Sequence, residues 1–255
     1  MDAIVTGIII FFLTFGAALL GIWMRTLLPK HHLDEASKDT IKMSIGLIAT
    51  MAALILGLVT ASAKTSYDAV DVAVKQSAIE LLALDSLLAR YGSDTSEIRI
   101  GLKSIVKARI DGIWQLKPMQ PNVGSSTVAA PGMTREGIAS AIRHLKTNDD
   151  AQVFMKGHAL ELTEKLMETN WLNSIGIDKS IPTAFLVAIV FWLMIVFWSF
   201  GLFSPLHTTV VVVLLVCTLS VASTIFLVME MDTPFSGVLM IPPDSLVYAY
   251  DHLGQ

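Results

Sequence analysis

A single cysteine, Cys217, stands among 255 residues, which excludes an intramolecular disulfide and a thiolate metal cluster. Charge is also scarce. Asp, Glu, Lys and Arg make up 16% of the chain, the formal net charge is -4, and no basic face is clustered as nucleic-acid binding requires. The chain has no Gly-x-Ser-x-Gly elbow, no His-Glu-x-x-His pair and no Walker-type phosphate loop. We therefore expect no catalytic residue, no metal site and no cofactor, and do not read the chain as an enzyme. Apolar residues, by contrast, are abundant: 53% of the chain is hydrophobic and its mean hydropathy is +0.63, leaving too little polar surface for a soluble globule of this size. The lipid bilayer is its expected surroundings.

Residues 3–24 carry no charged side chain, and 22 helical residues at about 1.5 Å each match a hydrocarbon layer of roughly 30 Å. A cleaved leader is the rival reading. Against it, the run follows Asp2 rather than a basic stretch, and leads into Trp23, Arg25 and Pro29 rather than a small-residue cleavage site. We expect a first span over about 3–28 and a second over 43–63, where Lys42 and Lys64 snorkel to the two interfaces. The short gap between them makes an antiparallel hairpin. Residues 180–229 are 50 positions without Asp, Glu, Lys or Arg, interrupted by Gly201, Ser204 and Pro205. They form two more spans, about 182–203 and 206–228, with Pro182 in a first helical turn.

The expected fold is an all-α membrane protein, four transmembrane helices arranged as two hairpins flanking a soluble helical domain. The domains are an N-terminal hairpin at 1–64, the soluble part at 65–180, a C-terminal hairpin at 181–229 and an acidic tail at 230–255. Arg25, Lys30, Lys38 and Lys42 concentrate charge between the first two spans, which makes that loop cytoplasmic and puts the N-terminus, residues 65–180 and the tail outside.

Within the soluble part, Tyr67, Val70, Val74, Leu81, Leu84, Leu88 and Tyr91 recur at helical spacing, and no Gly or Pro separates Ala63 from Tyr91. The second span is thus expected to continue outward as one rod. Gly92 ends it, and Asp94 with Glu97 has capping-box spacing for the next helix. Residues 118–132 are Pro-, Gly- and Ser-rich and form a loop. Thr134 then caps a short helix, and another starts near Asp149 or Asp150.

Ala49, Ala53, Gly57 and Ala61 form a small-residue stripe on the second span, which lets helix backbones approach closely. On the neighbouring face, Gly46, Thr50, Gly57 and Thr60 are pore-lining candidates if several copies surround an axis, with Lys64 at one mouth. His207, at the start of the fourth span, is a gating candidate. Glu230 and Asp232 lie at the membrane boundary, where a carboxylate binds a cation or caps a turn; Pro234, Phe235 and Gly237 complete a structural turn. His31 and His32 are weaker metal candidates, because nothing nearby fixes four ligands.

Several stretches carry a family resemblance: Leu28-Pro29-Lys30-His31-His32-Leu33 with Ser37-Lys38-Asp39, Gly46-Leu47-Ile48-Ala49-Thr50-Met51, Ala61-Ser62-Ala63-Lys64, Leu84-Asp85 with Arg90-Tyr91-Gly92, Phe200-Gly201-Leu202-Phe203-Ser204-Pro205, and the boundary segment from Glu230 to Gly237. Together they resemble the bacterial bestrophin-like domain family of integral membrane proteins, nearly end to end. The most specific piece is Asp232-x-Pro234-Phe235-x-Gly237. The resemblance implies a multi-pass protein of the bacterial inner (plasma) membrane, and through bestrophins a pentameric homo-oligomer passing small inorganic ions, anions by preference. It also implies a cytoplasmic soluble part, whereas the basic loop places residues 65–180 outside. The expected function is an oligomeric, passive ion channel; the alternative is a non-conducting sensor or scaffold whose soluble helices bind a protein partner.

Overall fold

The computed structural model describes residues 3–27, 35–114, 134–175, 183–204 and 207–255. Every regular element among them is helical. In chain order these are α1 (Ala3–Leu27), α2 (Glu35–Tyr91), a 3-10 turn (Ser93–Thr95), α3 (Ser96–Ile113), α4 (Arg135–His144), α5 (Asp150–Ile175), α6 (Thr183–Phe203), α7 (Thr208–Met231) and α8 (Asp244–His252). Four of them, α1, α2, α6 and α7, are long and apolar enough to cross a membrane. The adjacent histidines His31 and His32, the 118–132 loop, and the helix-boundary prolines Pro182 and Pro205 lie outside the described residues.

The expected rod is present: α2 is one helix of 57 residues. At about 1.5 Å per residue it is far longer than a hydrocarbon layer of roughly 30 Å. The chain divides into two compact units. One comprises Met1–Tyr67 and Lys179–Leu239, the other Asp68–Asp178 and Met240–Gln255.

In the first unit α1 packs against α6 and α7. Their core joins Ile10, Ala18 and Ile22 of α1 to Leu193 and Phe197 of α6 and Ile225 of α7; Ile55, Leu56 and Val59 of α2 pack onto it. Phe197 is thus buried, unlike Phe185, Phe191 and Phe200, which take the exposed positions expected of aromatic side chains in lipid. The tightest contact is the crossing of α1 and α6. A Cβ at Gly21 would collide with the Trp198 carbonyl oxygen and reach 2.9 Å from the Leu202 nitrogen. A Cβ at Gly201 would do the same to the Ala18 carbonyl, and would stand 3.0 Å from the Ile22 nitrogen. Only two glycines let these backbones touch, and close backbone approach is how helices associate where lipid supplies no hydrophobic drive. One turn further along, the Arg25 guanidinium donates to the Ser204 carbonyl at the end of α6. The pairs Gly21/Trp198 and Arg25/Ser204 advance together, so α1 and α6 run parallel.

The second unit is built on Leu84 and Leu88 of α2, Leu102 and Val106 of α3, and Ile142 of α4, all nearly inaccessible. Residues 240–255, set apart in the sequence as an acidic tail, pack into this unit: Ile241, Leu246, Ala249 and Leu253 are buried, and α8 lies against α3. The Trp114 indole donates to the Ile241 carbonyl at 2.7 Å. Asp85 on α2 accepts two hydrogen bonds from Arg99 on α3, each 2.8 Å, and a third from the Gly254 amide at 3.1 Å; Lys103 donates to the Leu253 carbonyl at 2.7 Å. Burial pushes the Asp85 carboxyl up, but the Arg99 and Gly254 hydrogen bonds and the charges of Arg99 and Lys103 outweigh it and hold the group below the ordinary carboxylate value.

Two expected caps are found and one is displaced. The Thr134 hydroxyl accepts from the Gly137 amide at 3.1 Å, and Asp149 Oδ1 accepts from Gln152 N at 2.6 Å, as helix starts require. The start of α3 differs from the Asp94 expectation: Thr95 occupies the cap position without a side-chain cap bond. Its hydroxyl turns backward to donate to the Leu88 carbonyl at 2.6 Å, closing the end of α2 instead.

Candidate functional site

The membrane part of α2 shows three sectors. Ile45, Ala52 and Ala63 are buried within the subunit. Projected at about 100° per residue, Gly46, Thr50, Gly57 and Lys64 fall within about 40° of arc, centred about 120° from the buried sector. All four are exposed, and Thr60 at the edge of the stripe is half-buried. A Cβ at Gly46 or Gly57 would meet nothing within 4 Å. Beyond the stripe follow Met43, Leu47, Leu54 and Leu58, bulky, apolar and exposed, the side chains a helix turns toward lipid.

The hydroxyls of the stripe are bonded locally. Thr50 donates to the Leu47 carbonyl at 2.8 Å and Thr60 to the Leu56 carbonyl at 2.7 Å. Their protons are engaged, so what they present outward is oxygen lone pairs, which serve cations better than anions. Lys64 supplies the opposite charge, its ammonium 5.6 Å from the centroid of the Tyr67 ring.

At the far end of α7 the boundary carboxylates are separated in role. Glu230 is 3% exposed, and its Oε2 accepts from the amides of Val238 at 2.5 Å and Leu239 at 3.2 Å. The chain reverses to bring those amides back: Thr233 N donates to the Glu230 carbonyl and Ser236 N to the Thr233 carbonyl, both at 3.1 Å. Gly237 then adopts φ +91, and a Cβ there would come within 2.8 Å of Glu230 Oε1. Glycine is required twice over, by its backbone angle and by the carboxylate it faces. Pro234, Phe235 and Asp232 are half-buried around this turn. Sequence spacing brings Glu230 and Asp232 together; the structure instead groups Glu230 with Val238, Leu239 and Gly237.

His207 stands exposed at the head of α7 and makes no side-chain cap bond; its carbonyl accepts from Val210 N at 2.9 Å. The hydroxyls of α7 bond back to their own helix, Thr218 to Leu214 at 2.9 Å and Ser223 to Leu219 at 2.8 Å. No group of three or more potential metal ligands occurs among the described residues. Sequence reading missed the Gly21/Gly201 crossing and the Asp85–Arg99 pair. Signals for both were present, glycines inside two apolar runs and an acid and a base on successive helices.

Four apolar helices able to span a membrane and an all-helical second unit define the class, an integral membrane protein of helical type. The chain belongs to the bestrophin-like domain family, whose family model matches residues 12–246. No curated protein and no solved structure matches it.

Proposed function

We propose that this protein is a homo-oligomeric membrane channel that passes small inorganic ions down their gradient. Copies of α2 surround the axis, with Gly46, Thr50, Gly57 and Thr60 lining it and Lys64 at one mouth. The observation that carries this reading is the small-residue, hydroxyl-bearing stripe left uncovered by the described residues, beside a separate bulky face suited to lipid. Membership of the bestrophin-like family supports it and points to anions and to a pentamer. The lone pairs of Thr50 and Thr60 favour cations, so ion sign is a property to measure. In this reading the spans form two hairpins, as the parallel run of α1 and α6 supports. The basic loop between α1 and α2 lies in the cytoplasm of a bacterial cell and the N-terminus, the soluble helical part and the C-terminus outside, with His207 and Asp232 near the ion path and Glu230 holding the boundary turn.

The test is purified protein in liposomes under a salt gradient. A reversal potential displaced from zero supports conduction and gives its sign, while silence across pH, calcium and voltage refutes it. A second reading, a non-conducting sensor or scaffold, is favoured by the engaged Thr50 and Thr60 protons, which a dry helix interface also requires. It predicts assembly without current, and capture of a protein by the helical second unit.

A further inference from the structure

Between them, α1 and α6 flank a groove of about 480 Å³, within the range of about 300–1,000 Å³ usual for small-molecule sites. Phe12, Gly16 and Leu20 stand on one wall, Phe191, Met194 and Trp198 on the other. The contact at Gly21 and Gly201 accounts for it. Helices that touch closely at one point cross at an angle and part away from it, and Gly16 has nothing within 4 Å of its Cβ position to fill the space. Phe12 and Phe191, 65% and 59% exposed, mark the far end.

We propose that this groove holds one acyl chain of a phospholipid whose phosphate lies at Arg25. Depth selects this occupant. Phe12 falls near the middle of the charge-free run 3–24 and Leu20 near its end, and Phe191 and Trp198 take corresponding levels on α6. From Phe12 to Leu20 the helix rises about 12 Å, against about 15 Å for half of a hydrocarbon layer. The groove therefore runs from the bilayer centre to the surface at the Arg25 end, through one leaflet only. A membrane helix from a second copy is about 10–12 Å across and traverses both leaflets, whereas a lipid tail stops at the midplane.

Charge complementarity at the surface end is an independent observation. Arg25, the basic residue in the last turn of α1, bridges the same two helices just past the groove by donating to the Ser204 carbonyl. A guanidinium has five N–H donors in a fork that matches phosphate, so that bond leaves others for a headgroup oxygen. Trp23 is 62% exposed and falls within about 60° of Leu20 around α1; an indole there sits at headgroup level. Apolar walls below and a cation at the rim are together the means by which membrane helices hold an anionic headgroup with its tail.

The experiment is native mass spectrometry of the full chain, delipidated in detergent and then given phosphatidylglycerol or, in parallel, diacylglycerol with the same chains. Wild type is expected to retain one phosphatidylglycerol per chain, several-fold more than diacylglycerol. Gly16→Leu enters the groove without striking backbone and is expected to lower retention several-fold; Ala17→Met serves the same purpose should circular dichroism show the first variant unfolded. Val213→Leu, exposed on α7, is expected to retain lipid as wild type does. Arg25→Gln is expected to bring phosphatidylglycerol down to the diacylglycerol level, and Arg25→Lys to restore part of the difference. Equal retention of the two lipids, or wild-type retention in the folded groove-filling variant or in Arg25→Gln, overturns the proposal. So does a wild type that holds no lipid while Gly16→Leu disrupts assembly, which would give the groove to a second copy. Lipid retention does not read current, so the result stands whichever way the liposome test falls.

Discussion

Gly201→Ala tests whether the α1/α6 crossing is the tightest joint of the membrane unit. The added methyl would collide with the Ala18 carbonyl oxygen and stand 3.0 Å from both the Ala18 carbonyl carbon and the Ile22 nitrogen. These are backbone atoms of a packed helix, so no rotamer change relieves the clash and the two helices must separate. A gap of about 0.5–1 Å forfeits roughly a quarter to a half of each contact's attraction along the crossing, and overpacking of this kind costs about 1–3 kcal/mol. Alanine recovers about 1 kcal/mol of helix propensity over glycine. The cost falls near the upper end because backbone is struck, leaving a net loss of about 2 kcal/mol. Gly16 is the internal control: it lies on α1 with nothing within 4 Å of its Cβ position, so Gly16→Ala gains up to about 1 kcal/mol. Reversible unfolding in mixed micelles, followed by circular dichroism against detergent fraction, should separate the two variants by about 3 kcal/mol. Equal stability of Gly201→Ala and Gly16→Ala would refute the reasoning.

Glu230→Gln keeps the shape of the boundary turn but replaces a charged acceptor with a neutral one, so the unit containing it should lose about 1–2 kcal/mol; Gly237→Ala should lose more, and thermal unfolding that ranks them otherwise contradicts the turn described. Asp85 gives a pH signature. Its folded-state value lies below the ordinary 3.8, so its stabilisation is complete above that value and disappears as pH falls through the folded value. Unfolding curves between pH 7 and 2 should show wild type and Asp85→Asn converging in acid and diverging above, and parallel curves would remove Asp85 as the cause. Gly57→Leu places a side chain in open space, so the stability of the isolated subunit should move by no more than about 0.5 kcal/mol. Conductance or assembly should nonetheless change, and a variant indistinguishable from wild type in both would take Gly57 off the axis.

Features set by nearest neighbours along the chain were the readable ones. Charge-free runs marked the apolar helices, and the lack of Gly or Pro between Ala63 and Tyr91 announced the length of α2. Thr134 and Asp149 cap locally, through amides three residues on, and were found for that reason. Thr95 was not, because its hydroxyl reaches back seven residues to Leu88, and spacing rules describe bonds made forward within one turn. The role of Glu230 depends on amides eight and nine residues away that only a chain reversal returns. Residues 240–255 were hidden for a related reason: α8 has nine residues, too few turns to display a period, and Leu253 and Gly254 act through partners on α2 and α3. Gly201 looked like punctuation in sequence. Whether a glycine ends a helix or admits another backbone is decided by what lies opposite, and one strand of letters does not contain that.

Glu230 closes the last turn of α7, where the carbonyl end of a helix ordinarily repels a negative side chain. What offsets the repulsion is a pair of converging amides, the kind of concavity in which chloride or phosphate settles elsewhere. The protein thus brings its own counter-ion to the end of α7, and a dissolved anion finds that berth already taken.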